Sequence, residues 1–153
     1  MQELNLPVAD LNMVQKNGKT MVFDVVRKKY FVLQPEEWVR QHIIHYLNSQ
    51  LGYPFSLLAV EKGLTYNGKN WRADIVAFNN SGKPQLIIEC KAPEVPINQQ
   101  TFMQAARYNL VYKVPFLIVS NGLTHYCSRV DLEKGTFEFL NEFPSYQSIC
   151  NID

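Results

Sequence analysis

WRADIVAFNNSGKPQLIIECK, residues 71–91, decides how this chain reads. Two apolar runs, 71–78 and 85–91, flank Asn79-Asn80-Ser81-Gly82-Lys83-Pro84. Asn, Ser, Gly and Pro tolerate or impose the dihedrals of a tight reversal, so the stretch predicts two strands joined by a turn. Runs that are apolar on both faces suit strands covered on both sides. Charges inside them, at Arg72, Asp74, Glu89 and Lys91, therefore need a reason.

A loop centred between Ser81 and Gly82 sets Asp74 directly across from Glu89, where paired Cβ atoms lie about 5 Å apart. Lys91, two residues on, shares the face of Glu89. Two facing carboxylates repel unless positive charge lies between them. Lys91 supplies one such charge, and an oxygen-lined pair also suits a hard divalent cation such as Mg²⁺. The plainer reading of the same residues is a solvated ion-pair network at strand ends.

D-x14-E-x-K at the ends of adjacent strands resembles the active site of the PD-(D/E)xK nuclease superfamily. More specifically, RADIVAFN…LIIECKAP resembles the N-terminal nuclease domain of type I restriction enzyme R subunits. Ala73 stands where the superfamily's name has Pro. The resemblance implies an α/β, restriction-endonuclease-like fold. A mixed, mostly antiparallel central sheet would be flanked by helices, an αβββαβ core at residues 34–130 of a single domain, 1–153, with an N-terminal β-hairpin.

The same resemblance implies Mg²⁺-dependent hydrolysis of DNA phosphodiesters, with Mn²⁺ as a substitute. Asp74, Glu89 and the backbone carbonyl of Cys90 would hold the metal, and Lys91 would sit beside the attacking water. It also implies a first-helix glutamate reaching towards the metal and a glutamine on the following helix, Gln104 of Q-x3-Y, near the nucleotide. The implied partners are DNA and the helicase, translocase or DNA-recognition subunits of a restriction system. A silent DNA-binding module or a protein-interaction module of the same fold is the alternative.

Helical spacing places the first helix over 34–51, with Pro35 at its first turn and an apolar stripe of Val39, Ile43, Tyr46 and Leu47. Glu36 falls on the stripe side and is preferred over Glu37, which falls nearer the polar flank; both also suit the positive end of the helix dipole. His42 and His45 read as helix-surface residues. A second helix spans 98–112, where Gln104 and Tyr108 share a side and Tyr108 reads as half-buried. The run at 115–120, returning after that helix, should pair parallel to an earlier strand.

Upstream, 11–15 and 20–26 flank Asn17-Gly18, a hairpin signal, with an extended piece at 30–33. Residues 1–10 read as a loose arm, Arg27-Lys28-Lys29 as a solvated turn, 137–140 as an edge strand, and 143–153 as patternless.

Composition excludes more than it assigns. Hydrophobic residues are 46% and charged residues 19%, ordinary for one globular domain. A net charge of +1 advertises no global affinity for nucleic acid, so any basic surface must be local. Three cysteines without a CxxC pair argue against a zinc ribbon or a disulfide framework, and a cytoplasmic setting is expected. No run approaches the ~18 apolar residues of a membrane span. With no G-x4-G-K-[ST], the chain carries no phosphate loop and is expected to be an isolated nuclease domain or a piece of something longer.

Overall fold

The computed structural model describes residues 1–150, apart from the side chain of Tyr66; residues 151–153 of the expected domain lie outside the described residues. Three antiparallel strands come first: β1 (Met13–Lys16), β2 (Lys19–Asp24) and β3 (Lys29–Val32), in the order β1-β2-β3. The expected hairpin is thus a three-stranded sheet, because the piece after Lys28 pairs with β2.

Helix α1 (Pro35–Ser49) leads through a short 3-10 turn (Phe55–Leu57) into β4 (Leu58–Tyr66), β5 (Lys69–Phe78) and β6 (Pro84–Cys90). Helix α2 (Gln99–Tyr112), capped by the Asn98 side chain on the Thr101 N–H, precedes β7 (Phe116–Ser120), β8 (His125–Asp131) and β9 (Thr136–Leu140). The six strands run β4-β5-β6-β7-β8-β9, and β6–β7 is the one parallel pair. Asn67-Gly68, both at positive φ, turn β4 directly into β5, so β5 starts ahead of the expected run 71–78.

The helices cover opposite faces. Val39, Ile43, Ile44 and Leu47 of α1 pack with Ile75, Ala77, Leu86, Ile88 and Ile118. Phe102, Ala105 and Ala106 of α2 pack with Val76, Ile87, Leu117 and Val119. Every residue of β7 is buried, which is why Phe116–Ser120 reads as an unbroken apolar run. The segment 143–150, patternless in sequence, contributes Phe143 and Ile149 to the α1 face and forms a last short helix, α3 (Tyr146–Cys150).

The arm at residues 1–10 is docked, not loose. Leu4 and Leu6 pack against the α1-side core, the Asn5 N–H donates to the Gly122 carbonyl at 2.8 Å, and Trp38 Nε1 donates to the Gln2 carbonyl at 2.7 Å. His125 Nε2 lies 2.8 Å from the Asn5 carbonyl. A carbonyl only accepts, so Nε2 carries the proton, and in the neutral ring Nδ1 accepts from the Ser120 hydroxyl at 2.7 Å.

Candidate active site

The site is built where β5 leaves β6. Ile75↔Ile88, Val76↔Ile87 and Ala77↔Leu86 pair in the register expected from sequence, although the turn is irregular: the register shifts after Ala77, and Phe78 pairs with Pro84. Pairing with β5 stops at Ile75, whereas β6 stays on β7 through Cys90↔Ser120 and a Lys91 N–H bond to the Ser120 carbonyl. Beyond the last β5–β6 rung, the Cys90 N–H donates to Asp74 Oδ2 at 2.7 Å.

Strand phase breaks at the same point. Ala73 packs on the α2 side and Ile75 on the α1 side, although residues two apart in a regular strand share a face. Opposite Asp74, between the pairs Val60↔Ile75 and Lys62↔Ala73, Glu61 has φ +52°. That left-handed conformation is uncommon for a side chain other than glycine, asparagine or aspartate. The distortion lets the Asp74 carboxylate meet both β6 and helix α1.

From α1 comes Arg40. Its Nη2 is 3.3 Å from Asp74 Oδ1, 3.0 Å from Glu36 Oε1 and 3.7 Å from Glu61 Oε1. The two first-helix glutamates are reversed in burial from the helical-phase expectation. Glu37 is buried between Arg27, Arg40 and Gln41, whereas the Glu36 side chain is 47% exposed at the rim. Glu37 faces inward because the β2–β3 turn packs over α1 and brings Arg27 to it. Glu36 nonetheless stays in the field of the site: burial holds its carboxyl above the ordinary range, Asp74 adds to that, and Arg40 and Lys91 oppose it.

Glu89 is half-buried and, among the described residues, has no hydrogen bond or ion pair. Burial pushes its carboxyl up; Lys91 pulls it down, while Asp74 and Glu36 push it up further. The charges of Asp74 and Lys91 therefore act on both Glu89 and Glu36. Gln104 stands apart. It is exposed and lines an open cleft with Lys69, Asn70, Arg107, Tyr108 and Tyr112, with no bond to Asp74, Glu89 or Lys91. Tyr108 is 62% exposed rather than half-buried.

Three further expectations change. Arg27 is not a solvated turn residue: it binds Asp24 and Glu37, and its guanidinium lies 3.5 Å from the Phe31 ring centroid. His42 is buried, with Nδ1 donating to the Trp38 carbonyl, and His45 is half-buried, so neither is a surface residue. Sequence reasoning missed Arg40 and Glu61. The available signals were a cation beside the apolar stripe of α1 and a lone acid in the strand LAVEKG.

Among the described residues, no group of three or more His, Cys, Asp or Glu side chains is arranged to hold a metal ion. The oxygen donors at the end of β6 still have the chemistry for a hard divalent cation. The Glu89 carboxylate has no hydrogen-bonding partner, and each Asp74 oxygen, with one donor on it, keeps a lone pair.

A mixed sheet between helices, with an acidic strand end opening off its centre, defines the restriction-endonuclease-like class of nuclease domains. Within that class the chain belongs to the family described as type I restriction enzyme R protein N terminus (HSDR_N), whose profile matches residues 35–144. The fold is similar to a fragment structure described as an HsdR subunit of a type I restriction enzyme from Vibrio vulnificus YJ016. The TM-score is 0.56 at 19% identity, over 76% of this chain and 24% of that one. The chain thus spans about a quarter of that relative's length. A structure from Anabaena variabilis ATCC 29413, described as a DUF820 nuclease, aligns with TM-score 0.48 at 15% identity, over 90% of this chain and 80% of that one. No curated protein matches in sequence.

Proposed function

We propose that this domain hydrolyses DNA phosphodiesters with a divalent cation, Mg²⁺ or Mn²⁺, held by Asp74, Glu89 and the Cys90 carbonyl. The observation that supports this most is Glu89: a half-buried carboxylate left without a hydrogen-bonding partner, beside a second carboxylate and a lysine. Burying a charge in that way is costly unless something compensates it. A bound divalent cation would supply charge stabilisation at the scissile phosphate and acidify a water.

The chain's own groups do the rest. The Cys90 N–H fixes Asp74 against the end of β6. Lys91 acts on the charges of both Glu89 and Glu36, so its ammonium also serves a phosphate placed between them. Gln104, with Arg107 and Lys69 beside it, would contact the nucleotide chain away from the scissile bond. Glu36, rather than buried Glu37, is the first-helix acid that belongs to the site.

With a net charge of only +1 and Arg27 committed to Asp24 and Glu37, any basic surface for phosphate is local, and affinity for DNA scales with phosphates neutralised. Cleavage by the isolated domain is therefore weak and salt-sensitive, and a DNA-translocating or DNA-recognising subunit of a type I restriction system raises the effective concentration. The test is nicking of unmodified supercoiled plasmid across a salt series with Mg²⁺ or Mn²⁺. Asp74→Asn and Lys91→Ala should each lose about 100-fold or more. Cutting that survives both substitutions would overturn the assignment.

A further inference from the structure

Three carboxylates converge on one nitrogen, Nη2 of Arg40, from Glu36 on α1, Glu61 on β4 and Asp74 on β5. The guanidinium is held there from behind. Nη1 binds Glu37 at 2.8 Å; Glu37 is gripped by Arg27 and Gln41, and Arg27 is anchored on Asp24, which is fully buried at the end of β2. The Arg40 side chain is 5% exposed, and its Nε is buried without a partner. An arginine selected only for ion pairing would use that donor, because orphaned buried N–H groups are costly. Its position is set by where the three acids meet.

We propose that Arg40 is a positioning residue acting through Asp74, a placeholder cation that holds the site acids together and competes with a divalent ion for them. The proposal rests on the metal reading above. Without an ion, Nη2 offsets the mutual repulsion of Glu36, Glu61 and Asp74. With an ion, the same fixed charge opposes it, so ion affinity is low until a phosphodiester adds negative charge. Cation and DNA then bind cooperatively, each raising the affinity for the other by the same factor.

The test measures Mn²⁺ alone by titration calorimetry, with circular dichroism melts to establish folding. The main variant is Glu37→Gln/Arg40→Gln, which removes both members of the buried pair and leaves net charge unchanged. It should bind Mn²⁺ about threefold more tightly than the wild type, because the cation removed lies 3.3 Å from an Asp74 oxygen while the anion removed sits behind it on Nη1, so the two changes cancel only in part. Adding Asp74→Asn should abolish that gain. Arg40→Lys keeps the charge on a shorter reach, still folds if the double variant does not, and should also tighten binding. A folded variant that binds Mn²⁺ no better than the wild type overturns the placeholder role alone. Absence of Mn²⁺ binding in the wild type and in every folded variant overturns this proposal together with the metal reading.

Discussion

The Cys90 N–H donates to Oδ2 of Asp74 at 2.7 Å, so a side chain of β5 takes over where the β5 backbone stops pairing with β6. Asp74 thereby closes an open strand end as well as lining the site. Asp74→Ala should lower stability by about 1–3 kcal/mol, because a buried N–H loses its acceptor. Asp74→Asn retains an oxygen acceptor and should cost less. Urea unfolding separates the two, and equal losses would show that the bond contributes nothing.

Glu89 should trade stability for function. Its folded pKa is raised above 4.5, mainly by burial, with Asp74 and Glu36 adding to it against Lys91. A carboxyl raised in the folded state contributes stability below its unfolded pKa, and that contribution is lost as pH rises through the folded value. Ionised Glu89 is thus a cost at neutral pH. Glu89→Gln should raise Tm at about pH 7 without divalent cation, with the gain shrinking towards about pH 4. Calorimetry across that range checks it, and a variant less stable at neutral pH would contradict the reading.

Asp24 has the opposite sign. Burial acts to raise its pKa but is outweighed by hydrogen bonds from the Arg27 backbone and side chain, the Arg27 charge and Gln41, so the folded value is lowered from 3.8. Its contribution is present above the unfolded pKa and lost as pH falls through the folded one. Asp24→Asn should cost about 3 kcal/mol at neutral pH, since it leaves Arg27 short of a buried partner. Chemical denaturation in neutral and acidic buffer should show that deficit narrowing as pH falls.

Glu61 carries backbone strain at φ +52°. Glycine adopts that conformation without a Cβ penalty, so Glu61→Gly should be more stable than Glu61→Ala by about 1 kcal/mol, reversing the usual order within a strand. Both lose the same ion pairs with Arg72 and Arg40, so the difference isolates the backbone term. Thermal melts of the two variants decide it.

Much of the central fold was legible from residues 71–91, because turn chemistry and apolar runs on either side are local properties. The three paired positions Ile75, Val76 and Ala77 follow the expected register, and β7 runs parallel to β6 as a strand returning after a helix should. The arm at residues 1–10 and helix α3 were not legible. Their apolar anchors, Leu4, Leu6, Phe143 and Ile149, follow no short period, and each is buried only by residues far away in the chain.

Sequence alone determined the alternation of elements and the placing of Glu89 and Lys91 at the end of β6, since period and spacing are written along the chain. Asp74, expected at a strand end, lies inside β5, which stays paired with β4 as far as Lys69. Tertiary structure decided which charges meet. Helical phase put Glu36 inward and Glu37 outward, yet Glu37 is buried because Arg27, ten residues earlier, arrives on a different sheet. Arg40 meets Asp74 across 34 residues of sequence, and Glu61 meets Arg40 through a local break in strand phase that no pattern announces. Coulomb energy depends on distance in space and on burial, and neither is a property of sequence spacing.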